Sequence, residues 1–400
     1  MPAAPSLLIV PYRSKTGKLY SQIPTSGAGD FTVTRNTEAR RFNSAGLIES
    51  VASGIPRLDY YTSGGTAGCP ALLVEPAATN LCLQSEAFNT TWTRVSGGTG
   101  LLPVITANAV VAPDGTTTAE TIVFDRGSAT SGSANFSQVQ QVINLATSGT
   151  YTLSVYAKAT AAGDVGKQFY IRAKDTLVSG ALTSSWVRYT STETGVAAGN
   201  TSVMIGNRGG FTANQSVSVD LWGAQLETGS VATSYIPTTT GTGSRSADVI
   251  SVSGAVSGSI GQTEGTIYVE VDVRNFVNFS RVVTLSDGTN NNTINLQLFL
   301  DGAVKNIRVS LRFLGSGQVD ILAAMPNAVN KIAVGYKQND FVVYLNGSSV
   351  GTNTSCSVPA MNKIDLGSLN GGNIIADRIR ALALYTTRLT DDELDTLTTP

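Results

Sequence analysis

The sequence predicts an all-β protein in which an irregular N-terminal arm precedes two antiparallel β-sandwich (jelly-roll) domains, and three observations predict it. Apolar and polar residues alternate in short segments over much of the chain. Gly, Asn, Ser and Thr separate these segments, and charged residues make up only 14% of a chain that holds 41 glycines. This is the pattern of many short strands joined by tight turns. At 400 residues the chain also exceeds what one hydrophobic core usually serves, so it should divide into several domains.

Residues 1–85 form the arm. They lack sustained periodicity, and their short apolar pieces, such as residues 7–10 and 72–74, have little with which to build a core. Those pieces can be buried only against another surface, which makes the arm an expected anchoring or docking segment. The alternative is an arm folded over its own domain.

Residues 86–243 form the second region. In residues 151–158 the apolar Tyr151, Leu153, Val155 and Ala157 share one face, and Val217, Val219 and Leu221 repeat the pattern against Ser218 and Asp220. With β-rich stretches at 136–143, 169–173 and 186–190, the spacing predicts a sandwich or jelly roll. Residues 238–261, rich in Thr, Gly and Ser, carry no core pattern and mark the boundary.

Residues 244–400 form the third region. Ile267, Val269, Val271 and Val273 alternate with polar or aromatic neighbours, as do Ile294, Leu296, Leu298 and Leu300. Asn346-Gly347 after Phe341, Val343 and Leu345 predicts a tight hairpin, because both residues accept positive φ. Near the end, Thr390 and Glu393 form a capping box with Leu389 and Leu394 as its staple, so a short helix should begin at Asp391. Leu394 and Leu397 on one face of that helix are expected to seal the open end of the sandwich. The acidic group Asp391, Asp392 and Glu393 serves the positive helix terminus and needs no further purpose.

Composition excludes several classes of function. Lys plus Arg number 27 against 28 for Asp plus Glu, which supplies no field for nucleic acid or an anionic membrane. Histidine is absent, which removes Ser-His-Asp and Cys-His catalysis and most zinc or non-haem iron sites. Cys69, Cys82 and Cys356 are an odd number without metal-ligand spacing and read as isolated thiols. The apolar run at residues 7–10 is too short for a secretory signal, and no segment approaches the roughly 20 apolar residues that span a bilayer. Without a sustained heptad pattern, any trimer contacts should come from the sandwiches and the arm.

Several segments carry a resemblance. FNSAGLIE at 42–49, PRLDY at 56–60, LLVEPAATN at 72–80 and SEAFNTTW at 85–92 resemble the opening of many phage and prophage structural proteins. WGAQLETGSVATSYIPT at 222–238 and SRSADV at 244–249 resemble the end of that family's carbohydrate-binding-module-like jelly roll and the lead into its next domain. YLNG at 344–347 and RIRALALYTTRLTDDEL at 378–394 are similar to concanavalin A-like or laminin-G-like domains. The resemblance implies a virion appendage of tail-fibre or head-fibre type, commonly a homotrimer at the virion surface. Its arm would meet other virion proteins, and its lectin-like modules would meet host-surface glycans.

Candidate sites follow from residue type. Asp287, Asn290 and Asn292, in the run DGTNNN, carry oxygens suited to calcium, as in some laminin-G-like loops, although a polar turn uses the same residues. Trp92, Trp186 and Tyr170 are candidate sugar-stacking rings, each more often a core residue, and Trp222 follows a strand in a way that leaves its direction open. Glu75, Glu227, Glu264 and Glu270 are the glutamates considered for a glycosidase pair, but no motif singles out any two, so no catalytic residue is named. The expected function is non-enzymatic adhesion or assembly, with a carboxylate-pair polysaccharide depolymerase or a purely structural decoration protein as alternatives.

Overall fold

The computed structural model describes residues 4–61, 68–128 and 132–400. It is built almost wholly of antiparallel strands with one short C-terminal α-helix, as the sequence predicts. The chain forms two compact units, one of residues 47–49 and 78–245 and one of residues 4–46, 50–77 and 246–400.

The central unit, residues 78–245, is a sandwich of two five-stranded sheets. One sheet runs, in spatial order, Thr93–Gly97, Phe136–Leu145, Gly199–Arg208, Gln168–Arg172 and Leu177–Ala181. The other runs Val104–Val110, Ala119–Asp125, Ser216–Thr228, Gly149–Ala159 and Val187–Val196. Alternation decides what each sheet turns inward. Val139, Ile143, Val203 and Ile205 of the first meet Leu153, Val155, Val217 and Val219 of the second in one core. The unit closes where Ala78–Asn80 pairs with Gly243–Arg245, so its last strand lies inside the stretch expected to be a linker.

The other unit is a larger sandwich whose strands come from both ends of the chain. Its nine-stranded sheet includes Phe31–Thr34, Val249–Ser253, Lys363–Leu366, Arg281–Ser286, Thr293–Asp301, Val304–Phe313 and Ser316–Ala324 in that spatial order. Its eight-stranded sheet includes Asp340–Leu345, Val329–Lys337, Glu264–Asp272, Asp377–Tyr385, Ala71–Val74 and Arg57–Asp59, with Leu7–Ile9 also paired to Asp377–Tyr385. Residues 1–85 are therefore not a separate arm. Leu7, Ile9, Phe31, Val33, Leu72 and Val74 share one core with Ile267, Val269, Val283 and Leu285.

Buried charge ties these distant segments together. Asp248 accepts from Arg35 Nη1 at 3.0 Å and pairs with Arg57 Nη2, while Arg57 Nη1 reaches Glu75 at 2.6 Å. Arg57, Glu75 and Asp248 come from PRLDY, LLVEPAATN and SRSADV, three of the segments that carry the family resemblance. Those motifs hold a fold together. Beside this group Asp59 pairs with Arg378 at 2.6 Å.

Two local expectations match in detail. Asp340–Leu345 and Ser348–Asn353 form a hairpin with Leu345 opposite Ser348, and Asn346 and Gly347 have φ of 50° and 82°. Asp391–Thr398 is helical, and its capping box is complete. The helix differs in what it covers. Leu394 packs with Ala333, Val342, Tyr344, Ala383 and Tyr385, which alternate with the inward Val334, Val343 and Leu384. It therefore lies on the outer face of the eight-stranded sheet and does not seal the end of the sandwich, because strand period two points these residues away from the core.

Candidate binding face of the central sandwich

The Phe136–Leu145, Gly199–Arg208 and Gln168–Arg172 strands turn their inward residues to the core, so alternate positions point outward and line up in rows across the sheet. One row is Gln138, Gly206 and Tyr170, and the next is Gln140, Met204 and Arg172. In a third, Arg208 lies opposite Phe136 with its guanidinium 5.2 Å from the ring centroid. No Asp or Glu stands in these rows.

Gly206 sets the geometry. A Cβ there would overlap the Ser137 carbonyl and the Gln138 side chain. Its absence lets Tyr170 reach across the middle strand, so that its hydroxyl donates to Gln138 Oε1. Gln138 Nε2 then donates to Gln140 Oε1 at 3.0 Å, which fixes two amides and a phenol in one chain. Burial holds the Tyr170 phenol above its usual range, with Arg208 and Arg172 pulling the other way, so it stays a neutral donor. Arg172 Nη2 reaches Asp175 at 3.3 Å and its Nη1 lies 3.7 Å from Met204 Sδ. The Nε atoms of Arg172 and Arg208 are buried without a hydrogen-bond partner. Further along the first strand, Val142, 59% exposed, and Asn144 line a pocket of about 210 Å³ with Leu81, Leu83, Gln141, Ile143 and Thr242.

The candidates from sequence fall in different places. Tyr170 is on this face but fully covered, Trp92 is in the core, and Trp186 is half-buried with Nε1 on the Val111 carbonyl and Lys158 over its ring. Trp222 is buried between Tyr156 and Tyr235, with Nε1 donating to Thr118 Oγ1 at 3.0 Å. Gln138, Gln140, Arg172, Met204 and Arg208 were not singled out, because polar residues at alternate strand positions read simply as a solvated face.

The calcium candidates serve the turn between the Arg281–Ser286 and Thr293–Asp301 strands. Asp287 Oδ1 accepts from Thr289 N at 2.8 Å and Oγ1 at 2.6 Å, and Oδ2 accepts from Asn292 Nδ2 at 2.7 Å. Asn292 Oδ1 caps Leu314 N at 2.9 Å, and Asn290 Oδ1 faces Asn370 Nδ2 at 3.4 Å. Among the described residues no group of three or more His, Cys, Asp or Glu gathers as a metal cage.

Each of the four glutamates is engaged by partners of its own. Glu75 is held by Arg57, and Glu227 is buried, accepting from Gln225 and from Thr233 Oγ1 at 2.7 Å. Burial raises the Glu227 carboxyl. Glu264 and Glu270 pair with Lys337 and Arg380 on one strand. Six residues apart, they are separated by about 20 Å, beyond the roughly 5–9.5 Å of a glycosidase pair.

No protein-family profile and no curated protein matches the chain. Among solved structures it is similar to the carbohydrate-binding module CBM40 of the Ruminococcus gnavus IT-sialidase, at 18% identity and TM-score 0.30 over 35% of this chain and 85% of that one. It is also similar to domain 4 of AbnA, a GH43 extracellular arabinanase from Geobacillus stearothermophilus, at 14% identity and TM-score 0.33 over 43% and 84%. The mouse laminin alpha1 chain, domains LG4-5, matches at 12% identity and TM-score 0.25 over 61% and 84%. The fold and the face together define an all-β protein of two sandwich units, one of which carries an ordered polar surface whose strand rows hold no carboxylate. Likenesses of this size assign it neither ligand nor activity.

Proposed function

We propose that this chain is a non-enzymatic glycan-binding subunit of a bacteriophage virion appendage, displayed at the virion surface as a homotrimer. The observation that carries glycan binding is the ordered row Gln138–Tyr170 beside Gln140, Arg172 and Arg208. The buried Gln138 and Tyr170 fix the surface, the half-buried Gln140, Arg172 and Arg208 carry amide and guanidinium donors that suit sugar hydroxyls, and the rows hold no carboxylate to act on a glycosidic bond. The virion placement rests on the resemblance of residues 42–92, 222–249 and 344–394. Contacts with other virion proteins through the N-terminal segment would use exposed residues such as Val10 and Tyr12, since its apolar strands are occupied in the sandwich.

The test is a glycan array on the full chain, with and without calcium, alongside mass spectrometry of the same glycans. Binding without shortened products, weakened about fivefold or more by Gln138→Ala or Arg208→Met, is the expected result. Cleavage products would overturn the non-enzymatic reading, and binding untouched by both substitutions would remove this face. Calcium at Asp287, Asn290 and Asn292 is a further proposal; it requires that calcium alter binding or raise Tm, and a Tm unchanged by calcium or chelator counts against it.

A further inference from the structure

The outward face of the nine-stranded sheet presents a different chemistry. Arg281 lies opposite Gln297, and Gln297 opposite Arg308, so the three share one row, while Arg312 stands opposite Thr293 further along. Arg308 is neutralised by Asp320, with contacts of 2.7 and 2.5 Å. Asp365, on the same face, is held by Lys363 at 3.1 Å. Arg281 has no such partner among the described residues, and its Nε and Nη1 are buried without any acceptor. Burial and the nearby Arg308 and Arg312 lower its pKa, which records an uncompensated cation in a positive field. Arg281 as a residue is only half-buried, so its Nη2, which likewise has no acceptor among the described residues, is the donor left open to one from outside.

Beside it stands a second unusual feature. Phe279 is 51% exposed and has φ of 64°, a left-handed conformation that bulky residues rarely adopt. Its ring meets Phe299 edge to face at 5.4 Å, and Arg308 covers Phe299 at 5.1 Å. An exposed ring, an unpartnered guanidinium and the Gln297 amide thus lie at one end of the sheet.

We propose that this face is a binding site for an acidic sugar, with Arg281 taking the carboxylate of a hexuronate-type residue and Phe279 stacking on the sugar ring. A carboxylate would take a charge-assisted hydrogen bond from Nη2, and the exposed aromatic ring supplies a stacking face that a bare inorganic anion would not use. The site stands on a different unit and different residues from the Tyr170 face, so either can fail alone.

The experiment is isothermal titration of the full chain with a hexuronate tetrasaccharide, its carboxyl-reduced neutral counterpart and inorganic phosphate. The intact chain should bind the acidic form at least about tenfold more tightly than the reduced form. Arg281→Met should abolish that preference, and the control Lys337→Met, an exposed cation on the other sheet, should leave it. Because the Arg281 side chain makes no hydrogen bond among the described residues, Arg281→Met should also keep or raise Tm. No binding of the acidic form, equal binding of both forms, phosphate binding as tight as the uronate, or a preference lost in Lys337→Met would each overturn the proposal. A Tm several degrees lower in Arg281→Met would show a structural role and overturn it as well.

Discussion

Asp248 is the residue on which most buried charge converges. It faces two guanidiniums, those of Arg35 and Arg57, and accepts the Glu75 amide at 3.0 Å. Replacing it by Ala leaves two buried cations short of an anion, so Asp248→Ala should cost about 3–5 kcal/mol in urea unfolding. A loss below about 1 kcal/mol would mean that water or Glu75 compensates fully. Asp377 poses the opposite problem. It is fully buried and accepts Arg274 N at 2.8 Å and Asn275 N at 3.0 Å, yet burial pushes its carboxyl up to about 7. In the unfolded chain it titrates near 3.9, so between about pH 4 and 7 the native state holds the extra proton. That contribution to stability is whole below about pH 4 and is lost as pH rises to 7. Thermal unfolding from pH 4 to 8 should therefore show a decline in the parent that Asp377→Asn largely removes, and parallel curves would refute the assignment. None of these pairings was legible in the sequence, since the partners lie as far as 213 residues apart and a charged residue in a short motif reads equally well as a surface group.

Elements were legible where their signal is local. The Thr390–Glu393 capping box and the Asn346-Gly347 turn each need only neighbouring residues to form, and both appear as expected. Thr390→Ala should cost about 1 kcal/mol through the lost cap on Glu393 N, seen as a lower urea midpoint. The long strands were legible too, because alternation over nine or more residues, as in Gly149–Ala159 or Thr293–Asp301, leaves little choice of face. The strands of the N-terminal segment were not. Leu7–Ile9, Arg57–Asp59 and Ala71–Val74 run three to four residues, too short for a period to show; the first and last pair with Asp377–Tyr385, some three hundred positions or more away, and Arg57–Asp59 joins the sheet only through Ala71–Val74. The face that carries Gln138 and Arg208 was hidden for another reason. Its outward positions are marked by Gly206, whose missing side chain is visible only once three strands are aligned.

At the scale of the whole chain, the two units differ in how their cores are assembled. The core of the central unit draws on residues between Cys82 and Leu226 alone, and the ends of the segment meet where Ala78–Asn80 pairs with Gly243–Arg245. The other core needs both ends of the chain. Removing the N-terminal segment strips Leu7, Ile9, Leu19, Phe31, Val33, Leu58, Leu72 and Val74 from it and leaves Asp248 without Arg35 and Arg57. At about 1.5–3 kcal/mol for each buried side chain, the loss is on the order of 12–24 kcal/mol, as large as the roughly 5–15 kcal/mol that stabilises a typical domain. A fragment of residues 78–245 should therefore fold alone, with a cooperative urea transition and native near-ultraviolet circular dichroism. A fragment of residues 246–400 should not, and should regain structure only when residues 1–77 are supplied in the same chain or in trans. Independent folding of the C-terminal fragment would mean that the N-terminal strands merely decorate a complete sandwich, and the segment would then be free for the docking role that its lack of periodicity suggests.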